Sequence, residues 1–383
     1  MRRVLTFFTS AVLLVVSSGI GAFTADLPFW RRAFQLPLPP DAVYLPFATI
    51  GSATAAPLEL ARAGELSLDE AALEDAARRA RNAGSRALLV MHHGHLQLER
   101  YFAADDSATL LPAALIARPL AAMAIGVTLS EGRITSLDAP LSQYLGEWND
   151  EARGKITLRQ LLEETSGLET GGDTRHILYT SPWEDLARLP HFATSRGVRM
   201  LLGNDFESTA LGFTLEHEPG GFYNASPANT QLAAVIVERV TGMPFEQYLD
   251  ARLWRPAGAG IAQLQLDRRA GMPAAHCCWR AAARDVLRLV NLLAMDGKAG
   301  ERQVLPTGWV DEMARASRVN AETGMQLARA MIDGTEVLSA SDDSGSAFWV
   351  VPDRELAILN IANPEGGNVD ELPALLLRAI KVQ

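Results

Sequence analysis

The sequence predicts an α/β sandwich of the α+β kind: an antiparallel sheet flanked by helices, with a helical insert in its middle. Three observations carry the prediction. Ala87–Met91 and Leu96–Tyr101 are apolar or alternating runs separated by His92-His93-Gly94, the pattern of a hairpin. Phe348–Val351 and Leu356–Ile361 repeat it around Pro352-Asp353. Between the two pairs, Pro119 to Glu131 is apolar on nearly every face and stops at Gly132, as a buried central helix would.

The remaining elements follow in order. Residues 1–25 read as a targeting segment. Arg2-Arg3 precede an uncharged stretch, Val4 to Phe23, long enough to span a bilayer at about 1.5 Å per residue. The basic flank places the N-terminus in the cytoplasm and the body outside. Ala22-Phe23-Thr24 is a poor cleavage site, which favours an uncleaved anchor; a cleaved signal peptide is the alternative. Residues 26–57, with Leu36-Pro-Leu-Pro-Pro40, read as an extended linker, and 58–383 as the folded domain. Ser67 followed by Glu70 makes a capping box opening a helix to about Ala83, stopped by Gly84. Thr157–Glu164, Gln231–Thr241 and Ala281–Met295 are further helices, and Leu372–Ile380 closes the chain as one. There is no internal repeat.

Composition narrows the function. The 383 residues are 48% hydrophobic and 21% charged, ordinary for a folded protein, with a net charge of −10. That balance argues against nucleic-acid binding, which needs a concentrated basic face. Arg78-Arg79-Ala80-Arg81 sits on an amphipathic helical pattern that also carries Glu and Asp, and reads as a solvated face. Cys277 and Cys278 are adjacent, and neighbours rarely meet disulfide geometry, so they read as small core or near-core residues, with a vicinal redox switch or a soft-metal site as the alternative. His92, His93 and His95 straddle a hairpin turn that should face solvent; His176, His191, His217 and His276 are scattered, so no metal or cofactor is implied.

From about residue 40 to 380 the chain resembles the serine β-lactamase-like family, which includes class C β-lactamases, DD-peptidases, esterases and 6-aminohexanoate-dimer hydrolases. The resemblance rests on Gly126 to Asp138, Tyr144-Leu-Gly-Glu-Trp148, Ile156 to Leu162 with Thr165-Ser-Gly-Leu168, Gln231 to Gly242, Cys277–Asp285 with Leu292-Leu293, and Val350-Val-Pro352. It implies the β-lactamase/transpeptidase-like fold. It also implies three catalytic motifs, and here each departs. The family's Ser-x-x-Lys sets an amine one helical turn from a nucleophilic hydroxyl. This chain has only Lys155, Lys298 and Lys381, none three residues after a serine. Counting back from Gly126 puts Leu115 at the nucleophile and Arg118 at the lysine. Arginine stays protonated and cannot act as the base. Pro119 further suggests that the helix starts there, leaving the preceding turn non-helical. The family's proton-shuttling tyrosine falls on Ala225, with Tyr223 a substitute if the loop slips by two. Its Lys/His-Thr/Ser-Gly triplet falls on Ala340-Ser341-Asp342, where Asp342 and Asp343 would repel an anion.

No other serine offers a clear replacement. Ser166 resembles a structural turn of the family, Ser226 has no base nearby in sequence, and Ser341, Ser344 and Ser346 have aspartates but no histidine. Tyr179-Thr-Ser181 matches Tyr-x-Ser by chance in the insert. The expectation is therefore a catalytically degenerate, envelope-located family member that binds a ligand or partner without acyl transfer. Its cleft would be lined by Leu115, Arg118, Tyr223 and Asp342. The ligand would be a small molecule, a peptidoglycan-like fragment or a protein, with the membrane engaged through residues 4–23. The alternative is an active esterase, amidase or peptidase using a shifted nucleophile.

Overall fold

In the computed structural model, which describes residues 26–36, 46–149, 152–172 and 189–381, both expected hairpins enter one six-stranded sheet. The strands are β1 (Phe47–Ile50), β2 (Ala87–His92), β3 (His95–Tyr101), β4 (Leu110–Pro112), β5 (Ala262–Gln265) and β6 (Trp279–Ala282). They continue with β7 (Lys298–Ala299), β8 (Arg302–Gln303), β9 (Ala328–Ile332), β10 (Thr335–Ser341), β11 (Ala347–Val351) and β12 (Leu356–Ile361). The large sheet runs β3-β2-β12-β11-β10-β9, antiparallel throughout; a second sheet runs β1-β5-β6-β4. β2, β11 and β12 are buried along their whole length, which explains why they read as apolar runs.

The described helices are α1 (Leu27–Ala33), α2 (Glu70–Asn82), α3 (Ala117–Ser130), α4 (Leu158–Leu162), α5 (Leu189–Thr194) and α6 (Arg196–Leu202). Then come α7 (Phe206–Leu211), α8 (Pro227–Thr241), α9 (Phe245–Leu249), α10 (Ala283–Ala294), α11 (Trp309–Ala314) and α12 (Leu372–Arg378). Leu73, Ala76, Ala77 and Ala80 form the buried stripe of α2, which packs with Leu372 and Leu376 of α12 on one face of the large sheet. The other face supports the main core, where α3, α8 and α10 meet. Gly126 lets α3 lie directly against Trp309, since a Cβ there would fall 2.3 Å from the indole.

Several expectations change. Residues 26–57 are not simply a linker: α1 is docked and β1 pairs with β5. The Arg32 guanidinium, 5% exposed, donates to the carbonyls of Leu202, Gly203, Leu266 and Asp267, and Asp26 pairs with Arg199 at 2.6 Å. The Pro-rich stretch at 37–45 and the expected membrane segment lie outside the described residues, as does Tyr179-Thr-Ser181. No described helix is long and apolar enough to cross a membrane.

The cap of α2 is Asp69, whose Oδ1 accepts from Ala72 N at 2.9 Å, while the Ser67 hydroxyl is engaged elsewhere. Pro119 does not start its helix. A 3₁₀ turn over Ala114–Ile116 leads into α3, and proline sits at the third helical position. A first-turn N–H has no intrahelical acceptor, so proline there loses no bond. Cys277 and Cys278 are joined as a vicinal disulfide, packed against the Phe29–Ala33–Leu202 cluster, rather than free thiols. His92 is 2% exposed instead of facing solvent, because the hairpin narrows to His93-Gly94 and leaves His92 at the end of β2.

Candidate functional site

Arg118 stands in the first turn of α3, half-buried. A cation there opposes the helix dipole, whose positive end lies at the N-terminus. No described residue offers it a hydrogen bond or an ion pair, although its field reaches Glu164, Tyr223 and His276. These four side chains come from four separate stretches of sequence.

Glu164 follows α4 and holds a left-handed backbone at φ 57°. That conformation is sparsely populated for a non-glycine residue and persists only when its surroundings over-determine it. Here they do. Glu164 is 3% exposed; its Oε2 accepts from Ser226 N at 3.0 Å and from the Asn229 amide, and its Oε1 accepts from Gln326 Nε2 at 2.9 Å. Burial pushes its carboxyl above the usual carboxylate range, against the pull of Arg118 and these donors. The Glu164 carbonyl accepts from Asn224 N at 2.7 Å, and the Asn224 amide donates to Leu168 O at 3.0 Å. Tyr223 is thus carried on a loop pinned on its C-terminal side. Burial, helped by Glu164, raises the phenol above its ordinary value, so Tyr223 keeps its proton and serves as a donor.

His276 completes the group. Burial, then Arg118, lowers its imidazole to about 3, so the ring is neutral. Gln231, at the buried N-terminal half of α8, orients it. Gln231 Nε2 donates to Pro273 O at 3.0 Å, which turns Oε1 toward Ala275 N at 2.9 Å and His276 Nδ1 at 3.4 Å. An oxygen can only accept, so this network assigns the proton to Nδ1. His276 Nε2 is then a bare lone pair, buried and without a partner.

Of the residues expected in the cleft, Arg118 and Tyr223 come together. Ala225 lies beside them in the same loop, half-buried, with no chemistry of its own. Leu115 does not line the site: it is 2% exposed and packed in the main core, because the 3₁₀ turn directs it inward. Asp342 sits in the β10–β11 turn. Its Oδ1 accepts from Ser344 N at 2.9 Å and Ser344 Oγ at 2.5 Å, burial raises its carboxyl, and Arg118 is not among the groups acting on it. Glu164, Gln231 and His276 were not anticipated. Each is scattered in sequence, and only the fold assembles them.

The serines are placed as follows. Ser166 Oγ donates to Asn229 Oδ1 at 2.6 Å and Ser226 Oγ to Glu169 O at 2.6 Å, both buried. Ser67 Oγ lies 2.6 Å from His92 Nδ1, and the Arg354 backbone engages the same ring. This contact lies at the Leu356 end of β12. Among the described residues no lysine amine hydrogen-bonds a hydroxyl; Lys381 Nζ donates to Leu66 O at 2.8 Å. No described cluster of three His, Cys, Asp or Glu residues could hold a metal ion.

Comparison with known proteins fits this architecture. The chain is 26% identical over 308 residues to 6-aminohexanoate-dimer hydrolase of Paenarthrobacter ureafaciens, covering 76% of each chain. It is 30% identical over 205 residues to esterase EstB of Burkholderia gladioli, covering 49% of each. The octameric penicillin-binding protein homologue of Pyrococcus abyssi superposes with a TM-score of 0.60 at 16% identity, covering 82% of this chain and 77% of that one. The beta-lactamase family model matches residues 71–383, and the protein belongs to that family.

Proposed function

We propose that this protein binds a ligand in the cleft at Arg118 without forming an acyl-enzyme there. One observation carries the reading: the position expected to hold the activating amine carries a guanidinium, with no hydroxyl hydrogen-bonded to it. A guanidinium cannot take a proton, but it binds carboxylate in a bidentate fork. The packing around Leu115 supports loss of the nucleophile position, while Arg118 and Tyr223 keep a half-open polar site. The proposal includes tethering to the bacterial envelope through residues 4–23, with a small molecule, a peptidoglycan-like fragment or a protein as the ligand.

Intact-mass analysis after treatment with a fluorophosphonate or a β-lactam tests it. The parent chain should remain unmodified, and Leu115→Ser with Arg118→Lys should gain labelling if the scaffold tolerates the pair. An adduct on a cleft serine of the parent would refute the reading.

A second reading, an active hydrolase with a shifted nucleophile, is favoured by Ser67. A hydroxyl 2.6 Å from a neutral imidazole, itself engaged by a third group, is the arrangement of an activated serine. Its hydroxyl also lies 3.1 Å from Gln97 Oε1, which competes for the same proton. Peptide mapping decides between the readings: a parent adduct on Ser67, lost in Ser67→Ala, establishes the second.

A further inference from the structure

We infer that the outward face of α1 lies against the bilayer surface, a second, interfacial contact beyond the proposed tether at residues 4–23. The inference deepens that tether and rests on it.

α1 is apolar on both sides. Phe29, Arg32 and Ala33 turn inward, and the helix docks on Val198, Leu201 and Leu202 of α6. Leu27, Trp30, Arg31 and Phe34 share the opposite side at helical spacing, and Phe34 N bonds Trp30 O at 2.9 Å, so the turn continues through it. Leu27 is 39% exposed and Phe34 57%; Arg31 is exposed, and Trp30 is half-buried beside Phe29. A solvent-facing helix side ordinarily carries polar residues. This one carries two large apolar side chains, an indole and a cation, the set that seats a helix among lipid headgroups.

The patch extends past α1. The Leu266 carbonyl accepts from Arg32 Nη2 at 3.0 Å, and Leu266 N donates to Pro46 O at 2.8 Å, which brings the start of β1 beside the helix. Phe47, the next residue, is 37% exposed. Its register partner Gln265 shares its side of the small sheet and donates to Leu201 O of α6 at 2.9 Å, so Phe47 borders the α1–α6 unit.

Chain reach and charge name the occupant. Phe23 ends the apolar run, and from there to Leu27 the chain spans at most about 14 Å even when fully extended. With residues 4–23 across the bilayer, α1 therefore emerges at its surface. The whole chain carries −10, which anionic lipid repels, but the exposed charge on this face is Arg31, and Asp26 at its edge is paired with Arg199 at 2.6 Å.

The full chain, reconstituted in vesicles of phosphatidylcholine and phosphatidylglycerol, tests this through Trp30 fluorescence. Subtracting the emission of Trp30→Phe isolates that indole from the rest of the seven tryptophans. Lipid spin-labelled near the headgroup should quench it at least about twofold more than lipid labelled at the chain end, because an interfacial helix lies only about 5–10 Å into the headgroup boundary. Leu27→Glu with Phe34→Glu should remove that quenching; Phe34→Ser should reduce it, and serves if the double variant loses α1. Protease resistance of residues 26–36 separates a helix lifted off the membrane from one undocked from the domain. Trp30 emission indifferent to both labels overturns the inference, as does quenching that survives in a double variant with α1 still docked. Alkaline flotation reports the tether separately. A chain that floats without headgroup-level quenching keeps the tether and loses the inference. A chain that is quenched but washes off at alkaline pH keeps the interfacial contact and loses the tether; one that neither floats nor is quenched loses both.

Discussion

At the scale of single residues, His92 shows how burial sets chemistry. Burial, with a smaller push from His93, lowers its imidazole to about 4. The unfolded chain protonates this ring near pH 6.5, while the folded chain holds it neutral, so acid favours unfolding. The contribution is complete above about pH 6.5 and is lost as pH falls toward 4, by at most about 1.4 kcal/mol per pH unit. His92→Gln should therefore flatten the decline of the urea midpoint across that window. A parallel decline in both proteins would reject the assignment. Arg118 was singled out from the sequence, because the gapless count back from Gly126 sets it at the position where the family carries its lysine. Its surroundings were not. Glu164, Gln231 and His276 carry no local pattern, and their meaning comes from hydrogen bonds that close across the folded core.

At the scale of elements, periodicity found both hairpins and the central helix, and misplaced their ends. The Ser67–Glu70 spacing fits a capping box, yet Asp69 provides the cap because the Ser67 hydroxyl is held by His92 and Gln97. A tertiary contact outweighed a local rule. The junction before α3 fails for a related reason: a proline early in a helix was read as its first residue, although the third position is equally free of a hydrogen-bond demand. In the same helix, Gly126 fixes the distance to α11. Gly126→Ala would drive a methyl into Trp309 and should destabilise the fold by about 1–3 kcal/mol, seen as a lower urea midpoint at unchanged slope. An unaltered midpoint would mean that the indole moves aside freely.

At the scale of the whole molecule, the family order of landmarks was readable because six segments recur at compatible spacings, and the matching region runs to residue 383. The N-terminal boundary was not readable. A Pro-rich composition predicts an extended chain, but the buried Arg32, the Asp26–Arg199 pair and the apolar contacts of Phe29 and Ala33 together dock α1. Arg32→Ala would leave carbonyls of α6 and of the 266–267 segment without their donor. It should cost about 2–4 kcal/mol and expose the 26–36 region to protease. Resistance equal to the parent's would show that the remaining apolar contacts of Phe29 and Ala33 hold the helix alone.

The same clamp has a mechanical meaning. Arg32 grips Asp267, whose side chain accepts from Phe206 N at 3.0 Å, and the Phe206 ring stands edge-on to His276 with centroids 6.5 Å apart. The docked amino-terminal helix is therefore joined to that ring through a short, continuous series of contacts.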